Sequence, residues 1–231
     1  MNVSVILPTY NEKDNISALI DRLQAIFSAN SIRGEIIVVD DDFPDGTADL
    51  AQKKAAGFSN IKVLQRPRKS GLASAVADGS RAAQHETIIV MDSDFSHPPG
   101  AIPEMLRHKK PGNIVSGSRF YRGRMKAPLF KMLSSIIINR LSRILIDEQI
   151  HDYTGGFFVL DKVMMQNAQI SSTGGEYAIE FLCHVVKQGY TVEEIPITYV
   201  FRKKGVSKTR LFHDGPRYLK RLWKMRSGCR R

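Results

Sequence analysis

The sequence contains little cysteine and no long uninterrupted run of apolar residues. Its 231 residues include two cysteines, Cys183 and Cys229, too few for a disulfide framework or a zinc cluster. The most apolar segment, 129–146, is interrupted by a lysine, an asparagine and two arginines, so we expect no membrane-spanning helix. The first residues lack the basic and apolar regions of a signal peptide, and no internal repeat is present. These absences favour one globular domain with a C-terminal extension.

Positive charge is concentrated at the C-terminal end of the chain. The net charge is +11, and residues 202–231 hold twelve Lys or Arg against one Asp, so the rest is neutral overall. Such a tail predicts an anionic partner, either a nucleic acid or a lipid surface. It also places Leu219, Leu222 and Trp223 on one helical face, which favours a helix lying on a membrane over a solvated tail. Because aromatic residues are sparse among these charges, we expect no nucleic-acid partner.

Short apolar runs alternate with amphipathic segments through much of the chain. This alternation predicts an α/β fold with a Rossmann-like, mostly parallel sheet flanked by helices, because parallel strands need crossover connections. The predicted strands are 3–7, 35–40, 61–65, 87–91, 114–117, 157–160 and 191–199. The predicted helices are 13–29, 47–56, 71–84, 129–146 and 177–188. The helix over 129–146 suits either the core or a lipid interface.

Polar side chains cluster where three of the predicted strands end. The fourth strand runs into Asp92 and Asp94, the second into the acidic residues 40–42, and the first into residues 8–12. The carboxyl ends of parallel strands form the ligand-binding edge of an open α/β sheet. Carboxylates at that edge suit Mg²⁺ or Mn²⁺, which share oxygen ligands with the phosphates of a substrate. The ring of Tyr10 would suit a nucleobase, so the pattern predicts a nucleotide site.

The ordered motifs resemble those of a known family. They are VSVILPTYNEKDNI, IIVVDDDFPDGTADLA, GLASAVADG, IIVMDSDFSHPP, GSRF and DYTGGFFVL, followed by Arg202 and Lys208. This set resembles the family 2 glycosyltransferases of the GT-A fold, and within them the dolichyl-phosphate (polyprenyl-phosphate) mannosyltransferases. The resemblance covers residues 1–208 and implies a GT-A glycosyltransferase domain there, followed by a basic amphipathic membrane-surface tail over 209–231.

The resemblance implies a role for each motif residue. The residues that it implies for holding the donor nucleoside are Pro8, Tyr10, Glu12, Val39, Asp41 and Ser93. The ligands that it implies for Mg²⁺ or Mn²⁺ are Asp92, Asp94 and Ser96, with Asp94 also in a catalytic role. Those that it implies for the donor diphosphate are Arg202 and Lys208. Those that it implies near the acceptor phosphate are Arg119, Lys131 and Ser135. Asp152, in DYTGG, either orients one of these groups or caps a turn.

The resemblance also implies a reaction and a location. The expected reaction is metal-dependent transfer of mannose, with inversion, from GDP-mannose to dolichyl (polyprenyl) phosphate; the alternative is glucose transfer from UDP-glucose. A phosphate monoester, with a second pKa of about 6, is already a nucleophile at neutral pH, so no general base is needed. We expect a peripheral enzyme of protein glycosylation at the cytoplasmic face of a membrane, either alone or with a membrane-anchoring subunit. A non-catalytic relative is disfavoured by the intact acidic and basic motifs.

Three further features allow more than one interpretation. His97 suits a hydrogen-bonding role in its loop better than metal ligation, and Gly155–Gly156 suits a tight turn better than a phosphate-binding loop. Glu176, Tyr177 and Glu180 open a predicted helix near the acceptor side, where they have either a structural role or a peripheral role in the site.

Overall fold

The structure, a computed structural model, describes residues 1–41, 44–202, 218–223 and 225. Its main sheet has seven strands in the order β3-β2-β1-β4-β7-β5-β8. These strands are β1 (Asn2–Thr9), β2 (Arg33–Asp40), β3 (Ile61–Gln65), β4 (Thr87–Val90), β5 (Asn113–Ser118), β7 (Phe158–Asp161) and β8 (Thr191–Pro196). Two short strands form a separate pair, β6 (Arg124–Lys126) and β9 (Thr198–Val200). Within the main sheet β7 runs antiparallel to both neighbours, and the other pairs are parallel. The predicted mostly parallel sheet is therefore confirmed.

Helices cover both faces of this sheet. They are α1 (Lys13–Ala29), α2 (Thr47–Ala55), α3 (Leu72–Ala82), α4 (Ile102–His108), α5 (Leu129–Leu145), α6 (Lys162–Asn167) and α7 (Tyr177–Lys187), with a 3₁₀ turn at Pro99–Ala101. Successive side chains of a strand point to opposite faces. Val5 and Leu7 of β1 accordingly pack in a core with α1, α2 and α4, whereas Ile6 packs with α3, α6 and α7. Two apolar cores thus enclose the sheet, and its polar loops are left at the edges.

The last predicted strand, 191–199, is interrupted in the structure. β8 ends at Pro196, and Ile197 connects it to β9 by donating its N–H to Ser118 and accepting from the N–H of Arg124. Proline has no N–H for a sheet ladder, which helps to explain the break. β6 was not predicted, because a three-residue strand with charged, exposed ends has no apolar alternation. This second pair brings Tyr199 and the following residues to the carboxyl edge of the main sheet.

The interpretation of the helix over 129–146 as buried core does not fit its outer surface. α5 exposes six large apolar side chains, between 39% and 65% of each: Leu129, Phe130, Leu133, Ile136, Ile137 and Ile144. The residues of α5 that are fully buried are polar, namely Asn139 and Ser142. The outer face of α5 is therefore apolar, whereas its inner face combines these polar residues with Ile138, Leu141 and Leu145, which pack against the core.

The C-terminal tail is described at residues 218–223 and 225, and residues 218–223 are helical. Leu222 is buried against the α7 core rather than sharing an exposed face with Leu219 and Trp223, so that part of the sequence prediction is wrong. Arg221 pairs with Glu180 of α7 at 3.4 Å, which adds a polar contact to the same docking. In the described part of the chain, no helix combines the length and apolar character needed to span a membrane.

Candidate active site

A cavity of about 670 Å³ opens at the carboxyl edge of the sheet, where β1, β2 and β4 end. It brings together eleven of the residues predicted from the motifs. These are Pro8, Tyr10, Glu12, Asp41, Asp92, Ser93, Asp94, Arg119, Lys131, Ser135 and Arg202. Val39, Ser96 and Asp152 do not line it, and Lys208 lies outside the described residues. The sequence motifs therefore converge in space on one site, with three predicted members behind its wall.

One end of the cavity is built around Tyr10 and Asp41, the end where the resemblance implies a nucleoside. Asp41 accepts a hydrogen bond from the N–H of Gly71 at 3.1 Å and forms an ion pair with Arg66. Lys69 places its Nζ 3.9 Å from the centre of the Tyr10 ring. Sequence reasoning missed both basic residues. Their signal was the RPRK run directly after β3, because that position puts them at the same sheet edge.

Val39 was predicted to hold the nucleoside, but its side chain does not line the cavity. It is fully buried and packs in the core beside Ile6 and α3. Asp41, two residues further along, is the side chain of this strand end that reaches the cavity. Asp42 lies outside the described residues.

The two carboxylates of the Asp-x-Asp pair, Asp92 and Asp94, differ in their exposure. Asp92 keeps 44% of its side-chain surface open, whereas Asp94 is 4% exposed and its Oδ1 accepts the N–H of Ser96 at 3.0 Å. Desolvation by the surrounding protein raises the pKa of Asp92, and the nearby Asp94 raises it further. The Oγ of Ser96 is buried off the cavity, so it does not face the space where a metal shared with a substrate would lie.

Two carboxylates alone do not complete a metal site. In the part of the chain that the structure describes, no group of three or more His, Cys, Asp or Glu side chains could hold a metal ion. Asp92 and Asp94 nevertheless offer hard oxygen donors on the cavity wall, which fits Mg²⁺ or Mn²⁺. These ions commonly take their remaining ligands from water and substrate phosphates, so the pair fits one half of such a site.

His97 connects the Asp-x-Asp loop to the glycine turn. Its Nδ1 accepts the N–H of Asp92 at 2.9 Å, so its Nε2 carries the proton and donates to the carbonyl of Gly155 at 2.8 Å. Its ring stacks on Phe157 at 5.1 Å. Both ring nitrogens are engaged, which supports the loop-bonding interpretation over metal ligation.

Arg202 bridges two acidic strand ends. Its Nη2 lies 2.6 Å from Oδ2 of Asp94, and its Nη1 lies 3.3 Å from Oε1 of Glu12. Glu12 is further held by Asn15, whose Nδ2 donates to Oε2 at 2.8 Å. The guanidinium therefore occupies the space between the loops that follow β1 and β4. In this position it lies beside the Asp-x-Asp pair on the cavity wall.

The opposite end of the cavity is organised around Arg119. Its Nε and Nη2 donate to the carboxylate of Asp152 at 2.8 and 2.6 Å, and Nη2 also donates to Thr154 at 2.6 Å. Burial alone would lower the pKa of Arg119, but the Asp152 carboxylate outweighs it and raises the pKa. Asp152 also accepts the N–H of Thr154 at 3.2 Å. It thus both orients the arginine and stabilises the turn, as the two sequence interpretations separately proposed.

α5 contributes Lys131 and Ser135 to the same end. Ser135 Oγ lies 3.2 Å from Oγ1 of Thr154. Asn139 ties the helix to this turn, because its Nδ2 donates to Thr154 Oγ1 at 3.0 Å and its Oδ1 accepts the N–H of Tyr153 at 2.6 Å. Partial burial lowers the pKa of Lys131, and Arg202 lowers it further. Thr154 and Asn139 were not assigned from the sequence. The available signal for Asn139 was its polar side chain inside an otherwise apolar helix.

The sheet order, the flanking helices and the Asp-x-Asp pair at the switch from strand to loop define a protein of the GT-A class. Residues 4–167 match the family model "Glycosyl transferase family 2". The chain therefore belongs to glycosyl transferase family 2.

Curated relatives extend this similarity over most of the chain. The chain is 36% identical over 218 residues to a dolichol-phosphate mannosyltransferase of Pyrococcus furiosus, covering 90% of this chain and 59% of that protein. It is 31% identical to a polyprenol monophosphomannose synthase of Mycolicibacterium smegmatis, covering 88% of this chain and 79% of that one. It is 30% identical to an undecaprenyl-phosphate mannosyltransferase of Micrococcus luteus, covering 90% and 87%. The chain thus spans about three-fifths of the length of the Pyrococcus relative.

Solved structures show the same fold. Glucosyl-3-phosphoglycerate synthase from Mycobacterium tuberculosis, in complex with Mn²⁺, UDP and phosphoglyceric acid, superposes with a TM-score of 0.74 at 17% identity, covering 98% of this chain and 78% of that one. A mannosyltransferase from Pyrobaculum calidifontis, in complex with GDP-Man and Mn²⁺, gives a TM-score of 0.62 at 18% identity, covering 88% and 58%. These likenesses establish the architecture.

Proposed function

We propose that the protein transfers mannose from GDP-mannose to a polyprenyl phosphate such as dolichyl phosphate, in a reaction that depends on Mg²⁺ or Mn²⁺. The observation that carries the proposal is the polarity of the cavity. Its acidic end, with Asp41 and the Asp-x-Asp pair, suits a nucleotide with a metal, and its other end offers Arg119 and Lys131 to a second phosphate. Three relatives at 30–36% identity carry names that describe this transfer to a lipid phosphate.

The donor would bind with its diphosphate between the Asp-x-Asp pair and Arg202. Asp92 and Asp94 would hold the metal, which would supply positive charge to the departing diphosphate. Arg202 would add a fixed cation on the other side, and Lys208 is proposed for the same role. Tyr10 would pack on the base, with Glu12, Asp41, Pro8 and Ser93 around the nucleoside. These groups favour departure of the nucleoside diphosphate because negative charge develops on it.

The acceptor phosphate would lie against Arg119, with Lys131 and Ser135 beside it. An oxygen of this phosphate forms the new bond to the anomeric carbon while the bond from that carbon to the diphosphate breaks. The configuration inverts, and the nucleoside diphosphate leaves. Because the monoester is already ionised at neutral pH, the described residues need only position it. Asp152 acts through Arg119, which it holds in place.

The outer face of α5 supports attachment to a lipid surface. Contiguous apolar surface on a soluble protein marks a protein or membrane contact, and here it lies on the helix whose other face supplies Lys131 to the acceptor end. A lipid-borne phosphate at the bilayer surface would be presented beside this helix. We therefore propose a peripheral position at the cytoplasmic face of a membrane, with a membrane-anchoring subunit as an additional partner.

A glucosyltransferase that uses UDP-glucose is the alternative. The structure solved with UDP is its support, although the similarity of this chain to that structure is one of fold.

A radiolabelled transfer assay tests the proposed function. The full chain is incubated with dolichyl phosphate in liposomes, Mn²⁺, and either labelled GDP-mannose or labelled UDP-glucose. We expect an EDTA-sensitive mannolipid from the wild type and none from Asp92→Ala. A glucolipid from UDP-glucose without a mannolipid would replace the mannose assignment by the alternative, and no glycolipid from either donor would contradict both.

A further inference from the structure

The carboxylate of Glu176, just before α7, stands apart from the other acidic groups of the cavity. Glu176 is 8% exposed and lines the cavity wall. Among the residues that the structure describes, none donates a hydrogen bond to this carboxylate or forms an ion pair with it. The other buried carboxylates of the site each have an arginine partner: Glu12, Asp41, Asp94 and Asp152. Its oxygens are not sealed from the cavity, so a ligand bound there can donate hydrogen bonds to them.

Gly174 leaves room for the carboxylate of Glu176. A Cβ added at Gly174 would lie 2.6 Å from Oε2 of Glu176, closer than such atoms approach in proteins. The side chain therefore lies against the backbone of Gly174, in space that only a glycine leaves open. Any larger residue at position 174 would displace the carboxylate from where it now lies.

The loop before Glu176 adjoins the nucleoside end of the cavity. Thr173 accepts the N–H of Leu72 at 2.9 Å, and Leu72 follows the Gly71 whose N–H holds Asp41. The loop thus packs on the first turn of α3, beside the group proposed for the nucleoside.

The residue after Glu176 lies toward the Asp-x-Asp pair. The Tyr177 hydroxyl is 3.5 Å from the carbonyl oxygen of Gly156, in the turn that His97 ties to Asp92. Burial raises the pKa of Tyr177, and the charge on Asp92 raises it further. Glu176 therefore stands between the nucleoside end and the place where the sugar leaves its diphosphate.

We propose that Glu176 recognises the hexose of the donor by accepting hydrogen bonds from two of its hydroxyl groups. The inference rests on the proposed function and extends it to the sugar. Of the parts of a nucleotide sugar, the phosphates are anionic and would be repelled by a carboxylate, and the nucleoside lies beyond Asp41. Sugar hydroxyls are neutral donors, and a carboxylate accepts from two of them at once.

Binding measurements with and without the sugar test this role. Titration calorimetry with Mn²⁺ compares GDP with GDP-mannose on the wild type, Glu176→Gln and Glu176→Ala. We expect GDP to bind all three within about twofold, and GDP-mannose to bind Glu176→Gln about tenfold more weakly and Glu176→Ala more weakly still. Equal weakening of both ligands, or weakening of neither, would overturn the inference.

Stability gives a second readout that a merely structural glutamate would not produce. Because the carboxylate has no partner among the described residues, Glu176→Gln breaks no contact and should unfold within a few degrees of the wild type in the absence of ligand. Glu180→Gln is the matched control one turn along α7. Its carboxylate accepts from Ser171 and Ser172, so this variant should unfold at a lower temperature and keep the wild-type ratio of GDP to GDP-mannose affinity. A much lower unfolding temperature for Glu176→Gln would count against the proposal.

Gly174→Ala tests the same carboxylate without changing its chemistry. We expect it to weaken GDP-mannose relative to GDP in the direction of Glu176→Ala, and an unchanged ratio would contradict the proposed position. The same titrations are repeated with UDP and UDP-glucose, so that a wrong donor assignment is distinguished from a wrong role for Glu176. A sugar-dependent loss seen with the uridine pair alone would keep Glu176 as the sugar contact and overturn mannose. Wild-type protein that binds neither nucleotide sugar would overturn both proposals.

Discussion

Arg202 Nη2 lies 2.6 Å from Asp94 Oδ2. This contact joins the segment after β9 to the acidic loop after β4. The two groups are separated by more than a hundred residues in sequence, and both are largely buried. The same guanidinium reaches Glu12 after β1. One arginine therefore contacts two carboxylates, and binding of a diphosphate and a metal would redistribute these contacts.

Removal of this arginine should affect both stability and donor binding. Arg202→Ala removes a cation from beside Asp94 and Glu12, and breaking such a buried pair costs on the order of 3 kcal/mol of unfolding free energy. We expect a loss of donor affinity of about 100-fold as well, because the fixed cation for the diphosphate is gone. Urea denaturation and GDP titration measure the two effects. Arg107→Ala, at an exposed arginine of α4, should change neither; a fully stable Arg202→Ala would contradict the bridge.

Asp152→Asn should impair the acceptor more than the donor. The amide cannot accept the three N–H groups of Arg119 as a charged carboxylate does, so the guanidinium loses its fixed orientation. We expect the KM for polyprenyl phosphate to rise about tenfold or more, with GDP affinity unchanged. Initial rates against both substrates separate the two. A parallel loss of GDP affinity would indicate a general loss of structure instead.

Much of the fold was predictable from local pattern. The alternation of apolar runs predicted the buried strands near the centre of the sheet, and the bounds of α1 agree with the structure at both ends. The antiparallel direction of β7 was not predictable, because an apolar run such as 157–160 carries no information on direction. The exposed apolar face of α5 also had no sequence signal that distinguished it from core. It becomes visible only when the polar turn at Thr154 is seen to occupy the inner side.

The candidate site was predictable where motifs carry charge at strand ends. Asp92, Asp94 and Arg119 line the cavity as the resemblance implied. Val39 and Ser96 do not, since a motif gives the order of residues and not how deeply each side chain is buried. The partners that orient the site, such as Arg66 for Asp41, depend on contacts between distant loops. Sequence spacing alone does not encode those contacts.

The outer face of α5 should control membrane binding separately from folding. Leu133 and Ile137 are 50% and 58% exposed, so Leu133→Glu/Ile137→Glu should unfold within a few degrees of the wild type. We expect the variant to lose flotation with anionic liposomes, and to lose transfer to a long-chain acceptor in those liposomes. Transfer to a short, water-soluble prenyl phosphate should be retained. The control Lys53→Glu/Lys54→Glu, on α2, should float as the wild type does or only slightly less. Unchanged flotation of the α5 variant would exclude this face as the membrane contact.

Lys131 should set an upper pH limit on use of the acceptor. Its pKa is lowered by partial burial and by Arg202, so its positive charge is present at neutral pH and is lost as pH rises, earlier than for an ordinary lysine. Loss of this cation weakens the attraction for the acceptor phosphate, so the KM for polyprenyl phosphate should rise on the alkaline side. Lys131→Arg keeps its charge throughout that range, because arginine is not deprotonated in proteins. We therefore expect the alkaline rise in KM to be flattened in this variant, although its KM at neutral pH can differ because the guanidinium binds phosphate with a different geometry. Initial rates between pH 7 and about pH 10, with GDP titrations alongside to verify the donor site, measure the difference. Identical pH profiles for the wild type and Lys131→Arg would show that another group limits acceptor binding.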